Sequence, residues 1–110
     1  MATLTPTVLI PTGALTSAVT TYASTGTSGT FGVIRTINAM AQTTSITLTV
    51  SLGADAAGTR ILALQPLTQN QVYTLNGWII TPTNNAHAID ATSNATGTNC
   101  IATISGYEYA

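Results

Sequence analysis

The clearest pattern in the chain is the alternation of apolar and polar residues over Ile46-Thr47-Leu48-Thr49-Val50-Ser51-Leu52. Successive side chains of a strand point to opposite faces, so this spacing predicts a β-strand with Ile46, Leu48, Val50 and Leu52 toward a core. Thr47, Thr49 and Ser51 are then expected on a wet outer face. Shorter runs rich in β-branched residues predict further strands at 7–10, 19–23, 32–40, 60–64, 71–75, 78–81, 87–91 and 100–109. No stretch sustains a helical stripe.

Gly, Pro, Asn and Ser punctuate these runs. Asn76-Gly77, between Leu75 and Trp78, has the two-residue signature of a type I′ hairpin turn, because both residue types tolerate positive φ. Residues 24–30 and 94–99 read as loops. Many short strands with turn signals between them predict an all-β fold, a single β-sandwich or jelly-roll-like domain of roughly eight short, mainly antiparallel strands.

A length of 110 residues suits one domain, 1–110, with no second core. Residues 1–11 contain the β-prone run Thr7-Val8-Leu9-Ile10 between Pro6 and Pro11. Proline cannot donate a ladder hydrogen bond, so this segment is expected either as an extended arm reaching a neighbour or as an edge strand.

Composition narrows the function classes. The chain is 45% hydrophobic and only 5% charged, with Arg35 and Arg60 as its only Lys or Arg residues, against about 25% charged in a typical soluble domain. A formal net charge of -1 offers little attraction for phosphate backbones or anionic lipid, so neither nucleic acid nor membrane is an expected partner. Sparse charge also fits a surface covered by neighbouring subunits, whose interface cores are depleted of charge. The first residues lack a basic, then apolar, signal pattern, and no apolar run reaches the length of a membrane span.

Candidate chemistry is thin. Gly53-Ala54-Asp55-Ala56-Ala57-Gly58-Thr59-Arg60 has the glycine spacing of a phosphate loop but lacks its lysine and leads into an expected strand rather than a helix. It reads as a β-connection with Asp55 and Arg60 solvated or paired locally. His87 is the only histidine, Cys100 the only cysteine, and Asp55, Asp90 and Glu108 are scattered, so no ligand cluster or catalytic motif is visible and neither enzyme activity nor a cofactor is expected. Cys100 reads as a small buried hydrophobe. Asn94-Ala95-Thr96 matches a glycosylation acceptor by chance in a Thr-rich chain. Trp78 reads as a core anchor. Tyr107 and Tyr109 share one face of the last strand and are expected at a core rim or an interface.

The run Ser51-Leu52-Gly53-Ala54-Asp55-Ala56-Ala57-Gly58-Thr59-Arg60-Ile61, with Gly77-Trp78 and the late strand Ala102-Thr103-Ile104-Ser105-Gly106, resembles the small β-sandwich virion proteins of tailed bacteriophages. The resemblance covers roughly the C-terminal two-thirds of the chain. It implies a structural particle component, assembled in the host cytoplasm and located in the virion, with no catalytic residue to carry over. The expected role is a capsid decoration protein that binds the major capsid protein or another virion protein as a homo-oligomer, with a trimer as the natural guess for a shell. A neck, tail or fibre position is the alternative, followed by a carbohydrate-binding β-sandwich module. Val8, Leu9, Ile10, Tyr107 and Tyr109 are the expected partner contacts.

Overall fold

Each β-branched run finds an antiparallel partner far away in sequence. The computed structural model describes residues 3–25, 29–56 and 58–109. The centre of the loop expected at 24–30, the first two residues of the N-terminal segment and Ala57 of the Gly53 to Arg60 connection lie outside the described residues. The strands are β1 (Leu4–Ala14), β2 (Thr20–Tyr22), β3 (Phe31–Ala41), β4 (Ile46–Ser51), β5 (Arg60–Leu67), β6 (Val72–Ile80), β7 (Ile89–Ser93) and β8 (Cys100–Tyr109), and no helix occurs among the described residues.

Two four-stranded sheets form, in the orders β1-β8-β3-β6 (sheet A) and β2-β7-β4-β5 (sheet B). The pairs β1·β8, β3·β6, β2·β7 and β4·β5 are those of one long hairpin with its tip between β4 and β5, and the pairs β3·β8 and β4·β7 arise when that hairpin wraps around itself. This is the jelly-roll form of the β-sandwich. All-β architecture is therefore as expected from the alternation.

Between the sheets lie Ile34, Ile37 and Ala39 of β3, Leu48 and Val50 of β4, Leu67 of β5, Ile89 and Ala91 of β7, and Cys100, Ala102 and Ile104 of β8. Leu9 and Ile10 of β1 join them. The N-terminal segment is thus an edge strand of the domain's own sheet, paired with β8 from Leu4 opposite Tyr109 to Ala14 opposite Ile101 with two register shifts on the way. Its prolines sit on an edge, where a missing N–H need not break a ladder.

Two expectations are corrected. Asn76-Gly77 is no turn: it lies inside β6, Asn76 is paired with Thr36, and neither residue is among those with positive φ. Tertiary pairing with β3 overrides the local hairpin signal, and the register shifts between Ile34 and Thr36, opposite Gly77 and Trp78. Glycine inside a strand often marks such an irregularity. The wet face of β4 is likewise covered, with Thr49 and Ser51 buried. β4 is an inner strand of sheet B, and the 52–59 connection together with Leu64 folds over it. Ser51 Oγ donates to Asp55 Oδ1 at 3.0 Å, and the Leu64 N–H donates to Thr49 Oγ1 at 3.2 Å.

Candidate interaction surface

The outer face of sheet A can be read in rows across its strands, because the registers place side chains of one face opposite each other. At one end, Leu4, Tyr109 and Phe31 form a row. Pro6, Tyr107, Val33 and Ile80 form the next. Val8, Ser105, Thr36 and Asn76 follow, then Thr103, Asn38 and Thr74. Ala14, Ile101, Met40 and Val72 close the far end. The face is therefore apolar at both ends and polar in the middle.

The first two rows are built from aromatic contacts. Phe31 and Tyr109 stack with ring centroids 4.7 Å apart and planes 13° apart. Trp78 lies 5.8 Å from Tyr107 at a tilt of 43°. The Arg35 guanidinium carbon sits 5.0 Å from the centre of the Trp78 ring, within cation–π range. Val33, between Tyr107 and Ile80 in its row, is buried although it belongs to the outer face. Around it, Val8 and Ile80 are each 56% exposed and Trp78 52%, an unusual amount of large apolar surface for one sheet face. Trp78 is thus a surface platform and not the core anchor its apolar neighbours suggested.

The polar rows are satisfied internally. Thr36 Oγ1 donates to Asn76 Oδ1 at 3.2 Å, Thr74 Oγ1 to Asn38 Oδ1 at 2.7 Å, and Thr103 Oγ1 to the Ile10 carbonyl at 3.2 Å. Arg35 is the charged group on this stretch of the face, and Pro6, Thr7, Val8, Ser105, Gly106 and Tyr107 line a shallow hollow beside it.

Of the expected contact residues, Val8, Tyr107 and Tyr109 share this face. Leu9 and Ile10 do not, because their side chains fill the core. A register shift lies between Val8 and Ile10, so two consecutive residues turn inward and the apolar run cannot all face a partner. Sequence reasoning missed Leu4, Phe31, Arg35 and Ile80, which reach the face only through long-range pairing. Exposed Val72 and Ile80 at the two ends of β6 carried the signal of an outward alternation that the presumed turn concealed.

The scattered ionisable residues meet elsewhere, on sheet B. Asp90 of β7 is 3% exposed and accepts from Thr21 Oγ1 at 2.8 Å and from the Asp55 N–H at 3.0 Å, with His87 Nδ1 at 3.1 Å. Asp90 therefore pins the 52–59 connection to the sheet. Asp55 pairs with Arg60, Nε to Oδ1 at 3.0 Å, and the hydrogen bond from Arg60, followed by that from Ser51, holds its carboxyl below the usual range. Gly53 has φ +119°, a turn geometry that favours glycine, and Gly58 lies in the turn that the Thr59 N–H closes on the Ala56 carbonyl at 3.0 Å. This is the locally paired β-connection. Among the described residues no group of three His, Cys, Asp or Glu side chains is placed to hold a metal, and no helix is long and apolar enough to cross a membrane. Cys100 is buried, and its burial raises the thiol's pKa, which disfavours the reactive thiolate.

Neither the scan against family models nor the searches of curated proteins and of solved structures found a match to this chain.

Proposed function

We propose that the chain is a non-catalytic structural component of a phage particle, a capsid decoration protein that lays the outer face of sheet A on neighbouring shell subunits. The observation that carries the reading is the aromatic and aliphatic end of that face, Leu4, Pro6 and Val8 beside Tyr107, Tyr109, Phe31, Trp78 and Ile80. A large apolar patch rimmed by polar residues is the mark of a protein interface. The jelly roll, used by viral capsid and lectin domains alike, supports the reading only as analogy of fold. The resemblance of the Ser51 to Ile61 run to tailed-phage virion proteins points the same way. The Asp90 cluster is structural in this reading, because its hydrogen bonds tie β2 and the connection at Asp55 to β7.

Quantitative mass spectrometry of the virions that carry the chain tests the reading. Copy numbers in the hundreds support decoration, and a dozen or fewer would move the chain to the neck or tail. Replacing Tyr107 and Trp78 by Ser in a protein that stays folded should abolish its retention on particles, and undiminished retention would refute the surface. With so little charge to screen, retention should also depend weakly on salt.

A second reading rests on Trp78 itself. A solvent-facing indole beside the amide and hydroxyl rows of Asn76, Asn38, Thr36 and Thr74 has the elements of a sugar-stacking platform. Glycan-array binding lost on Tyr107→Ala or Trp78→Ala, with the fold intact, would favour a carbohydrate-binding module.

A further inference from the structure

We infer that two copies of this chain pair through β6, antiparallel about Asn76, to join their A sheets into one continuous eight-stranded sheet. The pairing edge borders the outer face proposed to meet a particle and shares Trp78 and Ile80 with it, so it is tested on the chain alone.

Four strands are sheet edges, and three are guarded against pairing. β1 carries Pro6 and Pro11 and two register shifts. β2 is three residues long. β5 carries Arg60 and Pro66, and Leu64 breaks its regularity with φ 53°. These are the devices by which folded proteins blunt their edges. β6 has neither proline nor charge: its nine residues, Val-Tyr-Thr-Leu-Asn-Gly-Trp-Ile-Ile, alternate in exposure along their whole length, and the one irregularity is the register shift against β3 at Gly77 and Trp78.

The hydrogen bonds at its two ends show which backbone groups are free. The Ala41 N–H donates to the Gln71 carbonyl, and the Thr81 N–H donates to the Gly32 carbonyl. Odd-numbered residues of β6 thus face β3 on either side of the register shift at Gly77 and Trp78, and regular alternation from both ends turns the N–H and C=O groups of Val72, Thr74, Asn76, Trp78 and Ile80 to the open edge. Each of these also presents its side chain on the outer face.

The strand is complementary to itself. With Asn76 on a two-fold axis, all nine residues overlap, Thr74 lies opposite Trp78 and Val72 opposite Ile80 on the outer face, and Leu75 lies opposite Gly77 on the inner. The glycine is informative. A Cβ at Gly77 would meet only Ile79 atoms at 3.8 and 3.9 Å, and its φ is not positive, so within one copy the glycine answers to the register shift against β3 and not to crowding or turn geometry. Opposite Leu75 of a second copy, the missing side chain makes room.

The strand is uncharged, and Val72, Trp78 and Ile80, exposed by 63, 52 and 56%, flank its open edge on the outer face. Edge pairing covers only the sides of these side chains that meet the opposite strand, so the backbone ladder carries most of the contact and the interface is small beside the roughly 1,200 Å² at which specific dimers begin. A modest, neutral interface of this kind exchanges with monomer in roughly the micromolar range. The symmetry is two-fold, in contrast to the trimer suggested by shell geometry.

The test uses the full-length chain alone. Sedimentation over roughly 1–200 μM should show a monomer–dimer equilibrium, with hydrogen exchange at the amides of Val72, Thr74, Asn76, Trp78 and Ile80 slowed at the high end and fast at the low end. Asn76→Lys and Asn76→Asp each set like charges against each other on the axis and should give monomers, whereas an equimolar mixture should recover a dimer. A wild-type chain that stays monomeric throughout, a dimer whose even-numbered β6 amides exchange as in the monomer, or variants that dimerise alone would each overturn the inference. The exchange measurement needs no variant and decides the matter even where a substitution disturbs folding.

Discussion

The Tyr22 hydroxyl donates to Glu108 Oε2 at 2.7 Å, a bond that spans the sandwich from β2 of sheet B to β8 of sheet A. Tyr22 is buried, and its ring also covers Gly32, where a Cβ would lie 3.0 Å from Cε2 of that ring. Tyr22→Phe keeps the packing and removes the bond. Hydrogen bonds to charged groups contribute about 1.5–3 kcal/mol, and Glu108 keeps some access to water, so a loss of about 1–2 kcal/mol is expected in urea unfolding. An unchanged midpoint would show that the bond is replaced by water at no cost.

The same pair sets the alkaline limit of stability. Burial, and then the hydrogen bond to Glu108 and its charge, push the Tyr22 phenol above the ordinary phenol range. Burial also raises the Cys100 thiol. Both groups hold their protons more tightly when folded, so their contribution is complete below the unfolded values, near 9 for the thiol and 10 for the phenol, and is lost as pH rises beyond them. Thermal midpoints should fall above pH 9 and more steeply above pH 10. Tyr22→Phe should flatten the steeper part, and a decline equal to wild type would place its cause elsewhere.

Thr49 and Leu64 form a second linked pair. Leu64 has φ 53°, a left-handed conformation that is costly for a side chain, and its N–H is held by Thr49 Oγ1. Thr49→Ser keeps the acceptor and should cost little. Thr49→Val keeps the shape but removes the acceptor of this part-buried bond, so a loss of about 0.5–1.5 kcal/mol is expected. Equal effects of the two substitutions would mean that the hydroxyl is not the anchor.

At Leu64 the side chain is 61% exposed and contributes little packing. Leu64→Gly should therefore relieve the left-handed strain and raise stability by up to about 1 kcal/mol after the entropy cost of glycine is subtracted. A clear loss on denaturant titration would show that the leucine is packed in solution.

How much of this was legible in the sequence follows from what each feature depends on. The inward set Ile46, Leu48, Val50 needs only a period of two, and it was readable. Whether Thr49 and Ser51 face water depends on a loop folding over them, and no local pattern states that. Asn76-Gly77 misleads for the same reason: its turn propensity is local, while its pairing with Thr36, forty positions earlier, is not. Tyr107 and Tyr109 were readable as sharing a face because alternation alone settles it. Their company with Leu4, Phe31 and Trp78 required the order β1-β8-β3-β6, which no single segment encodes.

Gly106 supplies the most demanding prediction. A Cβ there would collide with the Val33 carbonyl oxygen and lie 2.9 Å from the Arg35 nitrogen, backbone atoms that cannot swing aside as a side chain would. The close approach arises because β3 holds one more residue than β8 at this point: Ile34 pairs with Gly106 and Thr36 with Ser105, and Arg35 is the extra residue. That extra residue is what turns the Arg35 side chain onto the outer face beside Trp78. Gly106→Ala must therefore either expel the extra residue, which moves Arg35 and shifts the register of β3, or push β8 away. Overpacking of this kind costs about 1–3 kcal/mol where side chains can yield, and here backbone must move, so a loss of about 3 kcal/mol or more is expected. Arg35→Gly, which keeps the backbone count and removes only the exposed side chain, should leave the fold intact and diminish the surface at Trp78. Thermal unfolding of the two variants, with Trp78 fluorescence as a reporter of its surroundings, separates the effects, and a Gly106→Ala protein as stable as wild type would mean that the extra residue is absent from β3 in solution.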